Sequence, residues 1–456
     1  MKIANKTVTA TQLVKDALEK AKHFEEYNIF TFLNEEGALR KAAEIDAKIA
    51  KGEKVGKLAG VPYAFKDNFL SPEGPTTASS KILSPLVSPI TATAIKKLEA
   101  EGAIMIGRTN MDSFAHGSST ENSYFGPTLN SADKTRVAGG SSGGSAVAVA
   151  LDIVEFATGT DTGGSIRQPA SFNGIYGLKP TYGTISRYGV VAMASSTDCI
   201  GFFTKTPDDM DLLMSITAGQ DANDLTTLPD YYETSEIKEV KKVGIIKEFD
   251  NDSVSSELKS ALNKKVDQLK KQGYEIVELS MPALKYALAV YYIIVPAEIA
   301  SNLSRYDGIR YGYRSDNITD LESIYTSSRN EGFMDENKRR IMIGNFVLSS
   351  GFYDAYYLKA QKARTLIIKE YEEAFKKCDV ILTPVAPNQA FKLGEKINDP
   401  VSMYLEDVMS VPINLAGLPG LTIPAGTGEN GLPTGLQLIG PRRSDKTLIN
   451  FAKELA

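Results

Sequence analysis

The chain has 456 residues, which is enough for one to three domains and a large buried core. Its 51 Lys and Arg and 56 Asp and Glu give a formal charge of -5, and 42% of its residues are apolar; this composition excludes a disordered chain and, judged by net charge, a polybasic nucleic-acid or membrane binder. Two cysteines and two histidines are too few for a disulfide scaffold or a self-contained zinc site, so we expect no metal.

Two features bear on the location of the protein. The first six residues contain no apolar signal core. The longest apolar run, at positions 286–295, is closed by Pro296 and is well short of the roughly 20 residues that span a bilayer. We therefore expect a cytoplasmic protein with no membrane attachment.

The chain opens with two predicted helices. Apolar residues recur at helical spacing over 9–23 and 35–50, and Thr9 or Thr11 is suited to cap the first helix. A cadence of helix, glycine turn and short apolar strand follows. It occurs over 91–106 and again over 255–279.

Further apolar runs predict more strands of the same sheet, at 243–246, 380–382 and 420–423. Strands that helices cover on both faces read as continuous apolar runs, so the pattern indicates an α/β fold. The polar stretch 221–242 predicts a surface excursion within one domain. The longest predicted helix covers 337–376 and breaks near Gly351.

Glycine is concentrated in one part of the chain. Positions 139–177 hold nine of the 37 glycines, in the two segments Gly-Gly-Ser-Ser-Gly-Gly-Ser (139–145) and Asp-Thr-Gly-Gly-Ser-Ile-Arg-Gln-Pro (161–169). Neither segment has dinucleotide or Walker A spacing, and no lysine follows the glycines, so phosphate binding is disfavoured. The dense glycines indicate close backbone approach or positive φ.

Residues 140–144 also satisfy the G-x-S-x-G pattern of serine hydrolases. In the α/β-hydrolase order a histidine follows the nucleophile, but this chain has no histidine after His116. His116 itself lies in a loop-like segment, where a polar loop residue is the simpler interpretation. A nucleophilic serine here requires a base other than histidine.

Lysine is the remaining nitrogen base. The segment Gly-Val-Pro-Tyr-Ala-Phe-Lys-Asp-Asn (60–68) places Lys66 at the end of a buried strand. Lowering a lysine pKa from about 10.4 to about 7 costs roughly 4.6 kcal/mol, which burial and neighbouring donors can supply. A lysine that extends to solvent from the strand end is the alternative.

Three segments, at 60–68, 140–145 and 159–169, together resemble the hallmarks of the amidase signature family. Two serines, at 141 and 165, lie 24 positions apart, as in that family. Downstream segments at 179–183, 302–312, 338–344 and 414–420 resemble the A-subunit branch of the glutamyl-tRNA(Gln)/aspartyl-tRNA(Asn) amidotransferases. The resemblance covers nearly the whole chain.

The resemblance implies a single α/β/α domain over 1–456, built on a mixed, mostly parallel sheet flanked by helices. Within it we expect N-terminal helices over 1–55, a catalytic core over 56–220 that contains Lys66, Ser141 and Ser165, and the rest of the sheet with substrate-recognition helices over 221–456.

The resemblance also implies residue roles. Ser165 matches the nucleophile, Lys66 the base, and Ser141 the bridging serine, which follows a cis peptide bond in the family. Backbone amides form an oxyanion hole; they belong to Thr162, Gly163, Gly164 and Ser165. Arg167 is expected to have a structural role. The resemblance implies no metal.

Substrate recognition is expected further along the chain. The resemblance places Arg340 on the α-carboxylate of glutamine and Asp407 on its ammonium group, with Tyr291 or Tyr292 nearby. His116 occupies a position that is commonly apolar in the family, beside the pocket. It either tunes the pocket or fills it.

The implied function is a glutaminase subunit that supplies ammonia to a partner. The partners are the B and C subunits of a heterotrimer, in which the partner subunit binds the aminoacyl-tRNA and uses ATP and Mg²⁺. This chain itself needs no cofactor. The alternatives are a stand-alone amidase for a small or lipid amide and a catalytically silent scaffold; retention of the three catalytic matches disfavours the scaffold.

Overall fold

The apolar runs of the sequence form the strands of one sheet. The computed structural model describes residues 8–229 and 231–456, so the segment predicted to lack a signal core, residues 1–6, lies outside the described residues. The strands are β1 Phe30–Leu33, β2 Pro62–Lys66, β3 Ile104–Thr109, β4 Phe156–Asp161, β5 Tyr176–Lys179, β6 Cys199–Thr204, β7 Lys242–Ile246, β8 Glu275–Leu279, β9 Val380–Pro384, β10 Gly420–Thr427 and β11 Pro433–Ile439.

The sheet is mixed, as predicted, but it is not mostly parallel. Its strand order is β1-β3-β2-β4-β6-β5-β10-β11-β9-β7-β8. Parallel pairing is confined to β3-β2-β4 and β9-β7-β8, and the six other neighbouring pairs in the described residues are antiparallel. The expectation failed because β6 and β9 are antiparallel to a neighbour and yet fully buried. An apolar run indicates burial on both faces, which is compatible with either strand direction.

The helices pack on both sides of this sheet. They are α1 Ala10–His23, α2 Glu35–Ala50, α3 Thr93–Ala100, α4 Gly143–Ala150, α5 Arg167–Asn173, α6 Pro207–Thr217, α7 Ser256–Lys271, α8 Ala287–Leu303, α9 Leu321–Gly332, α10 Asp335–Leu348, α11 Lys359–Ala374, α12 Pro400–Leu405, α13 Val411–Leu415 and α14 Asp445–Glu454. β3 shows the two layers, because its side chains alternate between faces. Ile104 and Ile106 join the core under α1, whereas Met105 joins the core under α3 and α14.

Local sequence signals account for several helix boundaries. Thr9 caps α1, and its hydroxyl accepts a hydrogen bond from the Gln12 N–H at 3.1 Å. The predicted second helix is α2 without change. The long predicted helix forms α10 and α11, separated by Gly351 at φ +88° and a π-helical turn at Tyr353–Leu358. Glycine adopts that φ without steric cost, so the helix breaks where it was predicted to break.

One helical segment of the described residues, Pro282–Leu303, is long and apolar enough to cross a membrane. In the fold, 61% of its most apolar 18-residue stretch is buried, and Ile294, Val295 and Ile299 contribute to a core cluster. The segment therefore serves as a core helix. The polar stretch after α6 connects to β7 without a helix or strand in the described positions 218–229 and 231–241. The sheet runs through both halves of the chain, which form one domain, while the internal boundaries at 55 and 220 stay predictions.

Candidate active site

A buried lysine at the end of β2 contacts a serine and a threonine. Lys66 has no exposed surface. Its Nζ lies 2.7 Å from Ser141 Oγ, 2.9 Å from Thr160 Oγ1 and 3.4 Å from the Thr160 carbonyl oxygen. β2 and β4 are parallel neighbours, so their carboxyl ends bring Lys66 and Thr160 to the same edge of the sheet. We call Lys66, Ser141 and Thr160 the lysine cluster.

The surroundings of Lys66 favour its neutral form. Burial lowers the pKa of Lys66 to about 7, although the carboxylates of Asp112, Asp161 and Asp198 oppose this shift. A neutral amine has two N–H groups and one lone pair. If the two Thr160 oxygens accept from the N–H groups, the lone pair faces the Ser141 hydroxyl. The lysine cluster is therefore suited to remove a proton from that hydroxyl near neutral pH.

The turn that carries Ser141 is held by Asp112. The Gly140–Ser141 peptide bond is cis, as the resemblance implies. The Asp112 N–H donates to the Ser141 carbonyl oxygen at 3.2 Å, and the Asp112 carboxylate accepts from the N–H groups of Ser119 and Thr120. A Cβ atom at position 140 would overlap with Asp112 Oδ2 and Ser119 N. This close approach requires the glycine.

The turn that carries Ser165 is built around the Asp161 carboxylate. Asp161 accepts from the N–H groups of Gly164 at 2.9 Å, Ile166 at 3.1 Å and Arg167 at 3.3 Å. It also forms a buried bidentate ion pair with the Arg167 guanidinium. Although burial favours the neutral acid, Arg167 keeps the pKa of Asp161 well below its usual range. These contacts agree with a structural role for Arg167, and they present Ser165 at the turn.

Ser165 follows Thr160 of the lysine cluster by five residues, but the second contact of the expected relay is not made. Its Oγ forms no hydrogen bond to another residue within 8–229 and 231–456, and 9% of its surface is exposed. Of the four predicted oxyanion amides, the Gly164 N–H is already bound to Asp161. The N–H groups of Thr162, Gly163 and Ser165 have no protein acceptor in the described residues and stay available to a ligand.

The second group of predicted residues surrounds Arg340 on α10. The rings of Tyr292 and Tyr404 stack on each other with their centroids 3.9 Å apart, and the Arg340 guanidinium lies beside this pair, 5.3 Å from the Tyr292 centroid and 5.5 Å from the Tyr404 centroid. Its Nε donates to Glu336 Oε1 at 2.8 Å, and the Tyr404 hydroxyl donates to the same oxygen at 2.9 Å. Although burial opposes the charge, Glu336 raises the pKa of Arg340 well above its ordinary value. We call Arg340, Glu336, Tyr292, Tyr404 and Asp407 the arginine cluster.

Asp407 completes this cluster from the C-terminal part of the chain. Its carboxylate accepts from the Ser118 hydroxyl at 2.8 Å and from the Tyr292 hydroxyl at 2.9 Å. Burial raises the pKa of Asp407 to about 7, against the two hydrogen bonds and the charge of Arg340. An ammonium group beside Asp407 would stabilise the ionised form.

Two contacts connect the clusters. The Gln168 side chain accepts from the Gly140 N–H at 2.9 Å and donates to the Ser118 carbonyl oxygen at 2.8 Å, so it joins the Ser141 turn to the serine that binds Asp407. Tyr291 reaches the Ser165 turn: a Cβ at Gly163 would lie 2.5 Å from the Tyr291 hydroxyl. The structure therefore brings all the predicted substrate residues to the neighbourhood of the two serine turns.

Sequence reasoning gave no role to Thr160, Asp112 or Glu336. Thr160 carried a usable signal, because it is a polar residue at the carboxyl end of a strand within the glycine-rich segment. Glu336 also carried one, since it precedes Arg340 by four residues and directly precedes the helix predicted over 337–376. Asp112 carried none, because its role depends on how two distant loops meet.

A cavity of about 210 Å³ adjoins the lysine cluster and is lined in part by Asn68, Thr160 and Thr162. The Asn68 amide donates to Thr160 Oγ1 at 3.1 Å, and its Oδ1 is buried without a partner among residues 8–229 and 231–456. In the described part of the chain, no three His, Cys, Asp or Glu side chains are grouped so that they could hold a metal ion. The same cavity is also lined by the charged Arg187 and Asp198 and by apolar residues such as Val191 and Met193.

Known proteins resemble this chain over nearly its whole length. The sequence model of the family described as Amidase matches residues 12–449. A protein of Agathobacter rectalis, named as the A subunit of glutamyl-tRNA(Gln) amidotransferase, is 50% identical over 457 residues, covering 99% of this chain and 91% of the relative. The crystal structure of the protein with the same name from Thermotoga maritima is 39% identical, with a TM-score of 0.80 and coverage of 97% and 90%. A crystal structure titled only as an amidase is 31% identical, with a TM-score of 0.84 and coverage of 98% and 96%.

Proposed function

This chain belongs to the amidase signature family, and from that premise we propose that it is the glutamine-hydrolysing A component of a tRNA-dependent amidotransferase. The observation that carries the proposal is the contact of fully buried Lys66 with Ser141 at 2.7 Å. That contact supplies a base at neutral pH, and the names of the full-length relatives supply the substrate class.

The chemistry proceeds by a two-serine relay. Neutral Lys66 accepts a proton from Ser141, Ser141 accepts one from Ser165, and Ser165 Oγ attacks the side-chain amide carbonyl of glutamine. The relay then returns a proton to the leaving nitrogen, which departs as ammonia. Water hydrolyses the ester to Ser165 and releases glutamate. The step from Ser165 to Ser141 requires a hydrogen bond between the two hydroxyls, which forms when the Ser165 side chain turns toward Ser141.

The tetrahedral intermediate places negative charge on the former carbonyl oxygen. We assign its stabilisation to the backbone N–H groups of Thr162, Gly163 and Ser165, which have no other protein acceptor among the described residues. Gly164 has a different part: its N–H holds Asp161 at 2.9 Å and thereby shapes the turn. Side chains and backbone amides of this chain supply every group that the hydrolysis needs.

Glutamine is recognised by its two charged groups. Arg340 binds the α-carboxylate, since arginine pairs with carboxylates through two parallel hydrogen bonds. Asp407 binds the α-ammonium, with Tyr292 and Ser118 holding its carboxylate in place. Tyr291 packs against Gly163 and lines the path between the two sites.

The ammonia is used by a partner. We propose that the B and C subunits complete a heterotrimer, in which the partner subunit binds glutamyl-tRNA(Gln) and uses ATP and Mg²⁺ to activate the acid. The assay with aspartyl-tRNA(Asn) decides whether that tRNA is also amidated. The net charge of -5 agrees with tRNA contact through the partner. The reaction belongs in the cytoplasm, where aminoacyl-tRNA is consumed.

Ammonia release from glutamine tests the proposal. The chain should be assayed alone and co-expressed with B and C subunits, and the complex should then be given ATP and glutamyl-tRNA(Gln) or aspartyl-tRNA(Asn). We expect glutamine hydrolysis and tRNA amidation by the complex, and loss of both in the Ser165→Ala complex. Failure of the wild-type complex to hydrolyse glutamine would contradict the proposal.

A stand-alone amidase is the second candidate, because the amidase structure with a TM-score of 0.84 has the same fold. That enzyme class has no need of the charged arginine cluster. Faster hydrolysis of butanamide than of glutamine by the isolated chain would favour it.

A further inference from the structure

His116 has a buried ring nitrogen that the proposed chemistry does not use. The residue follows a short 3₁₀ turn at Ser113–Ala115 and has no exposed surface. Its Nε2 has no hydrogen-bond partner in the described residues. Buried polar atoms are nearly always paired in proteins, so an unpaired one points to a ligand or an ordered water.

The other ring nitrogen is fixed by Asn337. The Asn337 Oδ1 accepts from the Met334 N–H at 3.1 Å and from the Ser113 hydroxyl at 2.8 Å, and the Asn337 Nδ2 donates to the Ser113 carbonyl oxygen at 2.9 Å. These partners permit one orientation of the amide. Its Nδ2 therefore faces His116 Nδ1, at 2.8 Å.

This orientation sets the tautomer of His116. Because an NH₂ group can only donate, Nδ1 is the acceptor and carries no proton. The neutral ring then has its proton on Nε2. Burial, with the charge of Arg340 as a second cause, lowers the pKa of His116 well below its ordinary value, so the ring stays neutral. The unpaired atom is thus a hydrogen-bond donor.

The position of His116 identifies the kind of acceptor it would meet. Asn337 and Arg340 lie three residues apart on α10, which places them on one face of the helix. Arg340 uses its Nε on Glu336, and its two terminal nitrogens have no acceptor in the described residues. On the other side, Ser118 follows His116 by two residues and binds Asp407. The charge of Arg340 acts on the His116 ring, and an unused N–H donor near a guanidinium with free N–H groups is suited to an anion.

Resting on the proposed function, we propose that His116 is a specificity-determining residue whose Nε2–H donates to the α-carboxylate of glutamine, alongside Arg340. The carboxylate then receives hydrogen bonds from a guanidinium and an imidazole, and Asn337 acts as a positioning residue that keeps the proton on Nε2.

Kinetics with two substrates test this role. His116→Leu removes the donor, and His116→Gln restores an N–H donor. His23→Leu is the matched control, because His23 is the other histidine of the chain and is exposed. We expect His116→Leu to raise KM for glutamine and to lower kcat/KM by about 10-fold or more, with partial recovery in His116→Gln. For 4-aminobutanamide, which lacks the α-carboxylate, the fall in kcat/KM caused by His116→Leu should be at most about a third as large.

A spectroscopic readout covers the case of a poorly folded variant. With ¹⁵N-labelled histidine in the Ser165→Ala protein, the two rings give separate signals, and the buried ring should show the Nε2–H tautomer. Glutamine should shift its Nε2 signal more than 4-aminobutanamide does.

Each outcome decides the matter. The inference would be overturned by a protonated Nδ1, by equal shifts with both ligands, or by equal losses of activity on both substrates. Any of these results would show that Nε2 contacts only a water or packed protein atoms. If the wild-type complex releases no ammonia from glutamine, the proposed function fails instead. The His116 result is read only when that control succeeds.

Discussion

The lysine cluster and the arginine cluster are both buried, but their polar atoms are paired to different extents. Every polar side-chain atom of Lys66, Ser141 and Thr160 lies within hydrogen-bond distance of another group of the site. In contrast, the terminal nitrogens of Arg340 lack acceptors in the described residues. Because the polar atoms of the lysine cluster are already paired, this cluster is suited to hold a base. The arginine cluster has unused donors, so it is suited to bind a charged ligand.

The two clusters are also built from different elements of the fold. The lysine cluster comes from strand ends and one turn between positions 66 and 160. The arginine cluster joins side chains of α8, α10 and α12 with Asp407, which follows α12. Removing a group from the first cluster should therefore affect the chemical step, and removing a group from the second should affect substrate binding.

The largest effect is expected for the nucleophile. Ser165→Ala should lower ammonia release from glutamine by at least about 10³-fold, because no other group can form the ester. Its thermal unfolding midpoint should match that of the wild type, since one hydroxyl at a turn is lost. Ser84→Ala, a half-buried serine that bonds only to the Lys81 carbonyl oxygen, is the control. A Ser165→Ala enzyme with a tenth of wild-type activity would move the nucleophile elsewhere, with Ser141 the first to test.

Loss of the base should come next. Lys66→Met keeps most of the apolar stem and should lower kcat by about 10²- to 10⁴-fold, with KM little changed. Lys179→Met is the matched control, because Lys179 is equally buried but lies outside the lysine cluster. Wild-type activity in Lys66→Met would remove the lysine from the mechanism.

The pH profile examines the same residue without a mutation. Lys66 acts as the neutral amine and its pKa is lowered to about 7, so kcat should fall as the pH drops below 7 and level off above it. The pKa of Asp407 is also raised to about 7, and its carboxylate must be ionised to bind ammonium. KM for glutamine should therefore rise as the pH drops below 7. Measuring kcat at saturating glutamine separates the two. A kcat that climbs without inflection to pH 10 would contradict a buried, tuned lysine.

A smaller loss is expected from the arginine cluster. Arg340→Ala and Asp407→Ala should each lower kcat/KM for glutamine by about 30-fold or more, since a lost partner of a buried charge contact costs about 2 to 5 kcal/mol. Butanamide, which has neither charged group, should be much less affected. Arg305→Ala, at an exposed arginine, is the control. Equal losses on both amides would make these residues supports of the fold and would favour the stand-alone amidase.

The smallest effect is expected for Thr160→Val, which removes one acceptor of the Lys66 amine. We expect kcat to fall by about 2- to 10-fold, the range of one neutral hydrogen bond. The ammonium form loses more than the amine form, so the acidic limb of the kcat profile should move to lower pH. Thr158→Val, two residues earlier in β4, is the matched control, because its hydroxyl is buried without a partner. An acidic limb that moves upward would contradict the assigned hydrogen bond.

Much of the fold follows from local sequence. The α1 and α2 bounds, the break at Gly351 and the strands around 243, 275, 380 and 420 were predicted from apolar spacing and turn residues, because these depend on neighbours a few positions away. Strand direction was not. An apolar run records burial on both faces, and the central antiparallel strands satisfy it as well as parallel ones do.

The sequence by itself predicted the residues of the proposed chemistry. Lys66, Ser141 and Ser165 lie in three short segments whose residue order carries the signal, and the same segments carry the family resemblance. Tertiary structure alone decided which atoms meet: that Thr160 binds Lys66, that the Gly164 N–H is bound to Asp161, and that His116 faces Asn337 with its Nε2 unpaired among the described residues. The physical reason is that hydrogen bonding depends on donor–acceptor distances of about 3 Å. Between residues far apart in the chain, those distances are set by how the sheet and its helices pack.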